Sequence, residues 1–170
     1  KSKKTVSSPL IITDNGTIER ITITNITGTH SWVGDMSVKL IHPNGVTATL
    51  FQTICDDDQN KDFNLGFSDL AQAGNIPCPP IGGQTYNPVS SFTVFNAKTL
   101  AGTWKLEITD GFNDDDGILD EWTLEACVST PDNTFGIETH KKISIYPNPT
   151  QNSLFIEGVD IENTNVIITN

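Results

Sequence analysis

Long apolar runs and basic residues are both scarce in this sequence. No stretch of its 170 residues approaches the ~18 consecutive apolar residues that a transmembrane helix requires. Ten Lys and Arg stand against 21 Asp and Glu, giving a formal net charge of -11. Nucleic acids and anionic membrane surfaces are bound by clustered Lys and Arg. We therefore expect no membrane span and no nucleic-acid partner.

Cysteine is scarce as well. The three cysteines form no C-x-x-C pair and have no histidine near them, which argues against a zinc site. Cys55 and Cys78 flank one long loop, and we predict a disulfide between them in an oxidising compartment. Cys127 is then left over, either free or paired with a cysteine upstream of Lys1. The basic start of the chain is not followed by a signal-peptide core, so we expect a piece excised from a longer protein.

Catalytic motifs are missing from the sequence. It has three histidines but no H-E-x-x-H, no G-x-S-x-G and no serine in a nucleophile context. A triad of His30, Asp35 and Ser37 is hard to build, because Asp35 and Ser37 lie on the same face of one strand. We predict a non-catalytic domain with no catalytic residues.

Period-two alternation is the clearest pattern that is present. In residues 36–40 the apolar Met36, Val38 and Leu40 alternate with polar residues, which is typical of a half-buried strand. A Pro-Asn-Gly turn at residues 43–45 follows, and alternation restarts at Val46, so we predict a β-hairpin.

The rest of the chain predicts further short strands and no helix. These strands lie at residues 9–12, 18–26, 63–67, 91–95, 104–108 and 122–126. Such a series indicates an all-β fold, a β-sandwich of jelly-roll type, with Trp104 and Trp122 in or near its core. The alternative is that these two residues and Trp32 form an exposed platform on which sugars stack.

A sequence motif surrounds the hairpin, formed by His30, Trp32, Gly34, Asp35, Ser37, Leu40, Pro43, Asn44 and Gly45. It resembles the H-x-W-x-G-D-x-S-x-x-L-x-x-P-x-G motif of the P domain. That domain is the β-sandwich following the catalytic domain in kexin- and furin-like proprotein convertases and in many secreted bacterial proteases. Residues 101–106 and 117–124 resemble the closing strands of the same family. The resemblance covers residues 9–128, with residues 1–8 expected to form a disordered arm.

A second resemblance lies near the end of the chain. Residues 129–142 lose periodicity and are predicted to be a linker. Residues 143–150 contain a Y-P-N-P motif, and an apolar strand is predicted at residues 154–156. This resembles the opening of the C-terminal sorting domain of type IX secretion cargo, which implies the type IX machinery as a partner. We expect residues 143–170 to be the truncated start of that domain, an incomplete second β-sandwich.

Acidic residues are concentrated in two windows. Eleven of the 21 lie in residues 56–69 and 110–121. Carboxylate oxygens on loops suit Ca²⁺, which takes six to eight oxygen ligands, and adjacent carboxylates repel each other unless they are neutralised. An EF-hand alignment fails, because it places Phe112 and Thr123 at ligand positions. We predict that each window contributes to irregular Ca²⁺ binding, with Asp56, Asp58, Asp69, Asp110, Asp114 and Asp116 as ligands; the alternative is solvated turn residues.

Two further polar residues of the motif are interpreted as structural. Asp35 is expected to be a hydrogen-bonded carboxylate at the start of a strand, with a calcium ligand or an interface contact as the alternative. His30 is expected to be a satisfied structural histidine, because no cysteine or second histidine lies at metal-binding spacing.

The P-domain resemblance implies a function. It implies a calcium-stabilised, non-catalytic accessory domain of a secreted enzyme, a serine endopeptidase or a metalloprotease. Such a domain packs on the catalytic domain upstream in the same chain, assists its folding and in bacterial relatives can also bind protein substrate. The alternative is an adhesion module, binding polysaccharide or protein, on a cell-surface protein without protease activity. Both hypotheses place the chain outside the cell.

Overall fold

The computed structural model describes residues 4–55, 62–72, 74–112, 116–129, 141–147 and 154–158. Within these residues the chain forms strands and two short 3₁₀ helices, Val33–Asp35 and Phe92–Phe95. In chain order the strands are β1 (Lys4–Ile12), β2 (Thr17–His30), β3 (Met36–Ile41), β4 (Thr47–Gln52), β5 (Asp62–Ser68), β6 (Gln84–Tyr86), β7 (Gly102–Asp110), β8 (Gly117–Ser129), β9 (Lys141–Pro147) and β10 (Leu154–Gly158).

The described strands form two sheets. One has the order β1-β7-β3-β4 and the other the order β10-β9-β8-β2-β5-β6. Neighbouring strands are antiparallel, except that β5 and β6 are parallel. Alternate residues of both sheets are buried in one apolar core, as expected for sheets packed face to face. The all-β prediction is therefore confirmed, and the arrangement is consistent with the predicted β-sandwich.

The predicted hairpin is present as β3 and β4. Their turn is closed by the backbone N–H of His42, which donates to the carbonyl of Val46 at 2.8 Å. The Asn44 side chain accepts from the N–H of Val46 at 3.0 Å, and Gly45 adopts a φ of 90°, which favours glycine. Local turn chemistry thus sets the register of the central strands.

Two tryptophans lie at the centre of the core. Trp104 and Trp122 are 0% and 1% exposed. The indole N–H of Trp104 donates to the carbonyl of Leu100 at 2.8 Å, and that of Trp122 donates to the Ser8 hydroxyl at 3.0 Å. The alternative of a sugar-stacking platform is wrong for these two residues, because their ring faces are not accessible.

Two local predictions were wrong. Residues 4–8 were expected to lie in a frayed arm, but β1 begins at Lys4 and pairs with β7 from Lys4↔Asp110 onward. Residues 91–95 were expected to form a strand, but Phe92–Phe95 is a 3₁₀ helix in which Phe92 and Phe95 are buried. The spacing of three residues between these phenylalanines fits one 3₁₀ turn.

The C-terminal strands extend the six-stranded sheet. β9 pairs with β8 from Leu124↔Ile145 to Val128↔Lys141, and β10 pairs with β9. The described part of the predicted second sandwich is thus an addition to the first, because the edge of β8 offers unpaired backbone groups to the returning chain. The predicted linker lies mostly outside the described residues, and its last two positions, 141 and 142, belong to β9.

Candidate functional site at the acidic end

Three connections of the sandwich meet at one end, which we call the acidic end. Strand register places them together, with Thr29 opposite Asp62, His30 opposite Gly117 and Met36 opposite Asp110. The connections β2–β3, β4–β5 and β7–β8 all leave the sheets here. Asp62 of the first acidic window and Asp110 of the second therefore lie at the same end of the molecule.

Asp110 ends β7 and orders the loop that follows. One carboxylate oxygen accepts from the backbone N–H of Phe112 at 2.9 Å, an arrangement typical of aspartate in turns. The other lies 3.8 Å from Nε2 of His30, and both side chains are almost fully buried. The N–H of Gly111 donates to the carbonyl of Asp35 at 3.0 Å, which ties the β7–β8 loop to the β2–β3 connection.

His30 fills the interior of this end. Its Nδ1 lies 2.8 Å from the carbonyl oxygen of Trp32 and 3.2 Å from the backbone nitrogen of the same residue. A Cβ built on Gly117 would lie 2.5 Å from Cδ2 of His30, a distance that real side chains do not tolerate. Burial and backbone contacts give His30 the structural position that we expected for it.

Asp116 is held at the surface through its backbone. Its carbonyl accepts from the N–H of Ser31 at 2.9 Å, and its N–H donates to the Ser31 hydroxyl at 3.1 Å. The side chain is 94% exposed, with the Lys4 ammonium 3.5 Å from one oxygen. An exposed ion pair of this kind contributes little to stability, so the Asp116 carboxylate is accessible to ions in solution.

Asp69 lies away from the acidic end. It follows β5, whose seven residues separate it from Asp62 by ~20 Å of extended strand. Its carboxylate accepts from the N–H of Phe92 at 3.1 Å and from the Ser91 hydroxyl at 3.0 Å. The Asp69 carboxylate therefore caps the second 3₁₀ helix. It does not lie together with Asp110 and Asp116.

The remaining predicted ligands, Asp56, Asp58 and Asp114, lie outside the described residues. Among the residues that the structure describes, no group of three or more His, Cys, Asp or Glu side chains is arranged to hold a metal ion.

The predicted disulfide is present. Cys55 and Cys78 are bonded with a Cα–Cα distance of 5.5 Å, so residues just after β4 are tied to the segment that leads into β6. Cys127 is free, and the Arg20 guanidinium lies 3.0 Å from its sulfur.

The sequence alone did not indicate that Ser31 and Gly117 are important for the packing of the acidic end. Both lie in the stretches that resemble the family motifs, but their roles depend on contacts across 85 or more positions of chain. Only a pairing of β2 with β8 would have pointed to them.

Comparison with known proteins agrees with this architecture. A family model described as the proprotein convertase P-domain matches residues 18–126. The chain belongs to the P-domain family. The match lies inside the span of residues 9–128 that the sequence predicted for this domain.

Two proteases are among the proteins that are similar to part of this chain. Over 119 residues this P domain is 28% identical to the "Transglutaminase-activating metalloprotease" of Streptomyces mobaraensis, covering 70% of this chain and 12% of that protein. A solved serine protease of Aeromonas sobria is similar over 75% of this chain and 22% of its own, with 16% identity and a TM-score of 0.38. The chain thus spans only a small part of either relative. No helix among the described residues is long and apolar enough to cross a membrane.

Proposed function

We propose that this P domain is the non-catalytic accessory domain of a secreted protease. The observation that carries the proposal is the family match over residues 18–126, supported by the similarity to a metalloprotease of which the chain covers 12%. The domain would pack on a catalytic domain in the same chain and stabilise its fold. Its large core and the Cys55–Cys78 bond suit a rigid support in an extracellular environment.

Deletion in the full-length protein tests this role. Two forms are expressed in the native host, one complete and one lacking the residues that correspond to 4–129. We expect the truncated form to lose most secreted proteolytic activity and to be degraded during expression. A truncated form secreted with the activity and thermal stability of the complete protein would contradict the accessory role.

We further propose that Ca²⁺ binds at the acidic end. In support, Asp62 of the first acidic window and Asp110 of the second lie at the same end of the sandwich, and Ser31 holds the exposed Asp116 through both its backbone N–H and its carbonyl. Asp116 and Asp110 would contribute carboxylates, with further oxygens from Asp56, Asp58 and Asp114. The ion would neutralise crowded carboxylates and order the loops that carry them.

Calorimetric titration tests the ion site. Ca²⁺ is added to the chelator-treated chain, and its binding is compared with that to the Asp116→Asn and Asp114→Asn variants. The proposal predicts binding that both substitutions weaken by tenfold or more, ~1.4 kcal/mol, with Asp69→Asn as a control. Absence of binding to the unsubstituted chain would show that these carboxylates are solvated turn residues.

The C-terminal region is proposed to act as an address for the type IX secretion machinery. The support is the Y-P-N-P motif at residues 146–149, whose first two residues are the last two of β9. Removing the chain from position 141 onward should leave the full-length protein inside the cell envelope. Export of this truncated protein at the normal level would rule out the address.

A further inference from the structure

The core of the sandwich is open where β1 and β8 begin. Residues two apart on a strand share a face, so Val6 points in the same direction as Leu10 and Ile12 of β1. Those two side chains are buried, whereas Val6 is 52% exposed. Val6 therefore faces the space between the two sheets at a place where that space is not filled.

A cavity of about 80 Å³ occupies this place. Compared with the ~30 Å³ that one water occupies in the liquid, it has room for an aliphatic side chain. Most of its lining is apolar and comes from both sheets, namely Val6, Met36, Phe63, Ile108, Ile118 and Leu119. Ile118 also belongs to the lining and is 66% exposed, so it lies at the rim of the cavity as Val6 does. We call the cavity and its two exposed rim residues the notch.

Both strands beside the notch have an open backbone edge in the described part of the chain. Among the described strands, β1 pairs with β7 alone. β9 pairs with β8 only at positions 124–128, and no other described strand pairs with the first half of β8 on that side. Open edges of this kind can accept another extended strand.

Pro9 indicates which groups of β1 face outward. Pro9 lies opposite Lys105 and has no N–H, so it costs no hydrogen bond to β7 if the two residues form a non-hydrogen-bonded pair. The backbone groups of such a residue point away from the partner strand, and those of every second residue point the same way. Ser7 therefore also directs its N–H and C=O away from β7. Pro9 then limits strand addition to the part of β1 that lies beside the notch.

The surroundings of the notch are acidic. Asp110 lies in its lining, and Asp116, Asp120 and Glu121 are exposed nearby on or just before β8. Among the described residues that line the notch, Lys4 is the only Lys or Arg. This charge favours a partner that carries Lys or Arg beside an apolar residue.

We propose that the notch binds an extended protein segment that adds to the edge of β1. One apolar side chain of the segment fills the cavity between Val6 and Ile118, and a following Lys or Arg lies near Asp116. An antiparallel segment places its C-terminal end at the start of β1, so the basic residues follow the apolar one in sequence. The proposal goes beyond the accessory role and depends on the shape of the notch, the open edge of β1 and the acidic side chains around them.

Fluorescence anisotropy with short synthetic peptides tests the proposal. A labelled peptide Thr-Val-Thr-Leu-Lys-Lys is titrated with the chain in chelator, so that bound metal does not compete for the carboxylates. We expect it to bind about tenfold tighter than Thr-Val-Thr-Leu-Glu-Glu, which reverses the charge, and than Thr-Ser-Thr-Ser-Lys-Lys, which removes the apolar residues. Equal binding of the three peptides would overturn the proposal.

Matched variants locate the binding. The double variant Val6→Thr and Ile118→Thr makes the rim polar, and Val89→Thr with Ile81→Thr does the same to two residues of similar exposure elsewhere. Only the first pair should weaken binding of the lysine peptide, by about tenfold. Ser7→Pro should weaken it as well, because it removes an outward N–H. Thermal unfolding confirms that each variant is folded.

Two outcomes would count against the notch. Binding that depends on the lysines but is unchanged by both the rim pair and Ser7→Pro would mean that the acidic loops attract cations without strand addition. Self-association of the chain in sedimentation equilibrium, abolished by Ser7→Pro, would mean that a second copy occupies the edge of β1. Either result would contradict the proposal that an extended segment of another protein binds in the notch.

Discussion

Ser31 holds Asp116 by both polar groups of its backbone. The Ser31 N–H donates to the Asp116 carbonyl at 2.9 Å, and the Asp116 N–H donates to the Ser31 hydroxyl at 3.1 Å. These residues end the β7–β8 loop against the β2–β3 connection, so one serine orients an exposed carboxylate of the acidic end. The two hydrogen bonds therefore connect the strands of the sandwich to the proposed ion site.

Replacing Ser31 should therefore affect stability and ion binding together. Ser31→Ala removes the acceptor for the Asp116 N–H and should lower the free energy of unfolding by about 1 kcal/mol. It should also weaken Ca²⁺ binding, because the loop end is no longer fixed. Urea unfolding with and without Ca²⁺ measures both effects, and Ser129→Ala at the exposed end of β8 is the control. If Ca²⁺ stabilises the Ser31→Ala variant as much as the unsubstituted chain, Ser31 does not contribute to the ion site.

Any side chain at position 117 should destabilise the domain. A Cβ at this position would lie 2.5 Å from Cδ2 of His30 and 2.6 Å from the carbonyl oxygen of Thr29. We expect Gly117→Ala to cost about 1–3 kcal/mol of stability, as overpacking does elsewhere. Thermal or urea unfolding measures it. The matched control is Gly74→Ala, because a Cβ at Gly74 meets no atom within 4 Å; equal midpoints for the two variants would refute the packing argument.

The Asp69 carboxylate should act as a helix cap and not as a calcium ligand. Asp69→Ala removes the acceptor for the N–H of Phe92, and such caps contribute about 1 kcal/mol. Stability measured by urea unfolding should fall by this amount, while the calorimetric affinity for Ca²⁺ stays as in the unsubstituted chain. A loss of calcium affinity would instead support the ligand role predicted from the sequence.

The Cys55–Cys78 bond should stabilise the domain substantially. It closes a loop of 23 positions, for which loop entropy predicts about 3 kcal/mol. Replacing both cysteines with serine should lower the urea midpoint accordingly, whereas Cys127→Ser should leave it unchanged. Thiol titration in denaturant should find one free thiol before reduction and three after it. Three thiols before reduction would show that the bond does not form.

Local patterns in the sequence predicted the parts of the fold that depend on neighbouring residues. The hairpin of β3 and β4 follows from alternation and from the Asn44–Gly45 turn, which act within a few residues. The burial of Trp104 and Trp122 follows from the same period of two. The pairing of Cys55 with Cys78 was predictable because both flank one loop.

Features that depend on distant contacts were not predictable in this way. Ser31 meets Asp116 across 85 positions, and β9 returns to the edge of β8 after residues that carry no periodicity. Asp69 belongs to an acidic window by sequence, yet the length of β5 removes it from the acidic end. In each case the strand register, which one sequence does not reveal, decides which side chains meet.

Calorimetric unfolding of the full-length protein tests the accessory role most directly. The complete protein is compared with its isolated catalytic portion and with this chain. If the P domain stabilises the catalytic portion, the complete protein should unfold with that portion melting several degrees higher than it does alone, and the substitutions that destabilise the P domain should lower it. A trace equal to the sum of the two separate parts would contradict the proposed function.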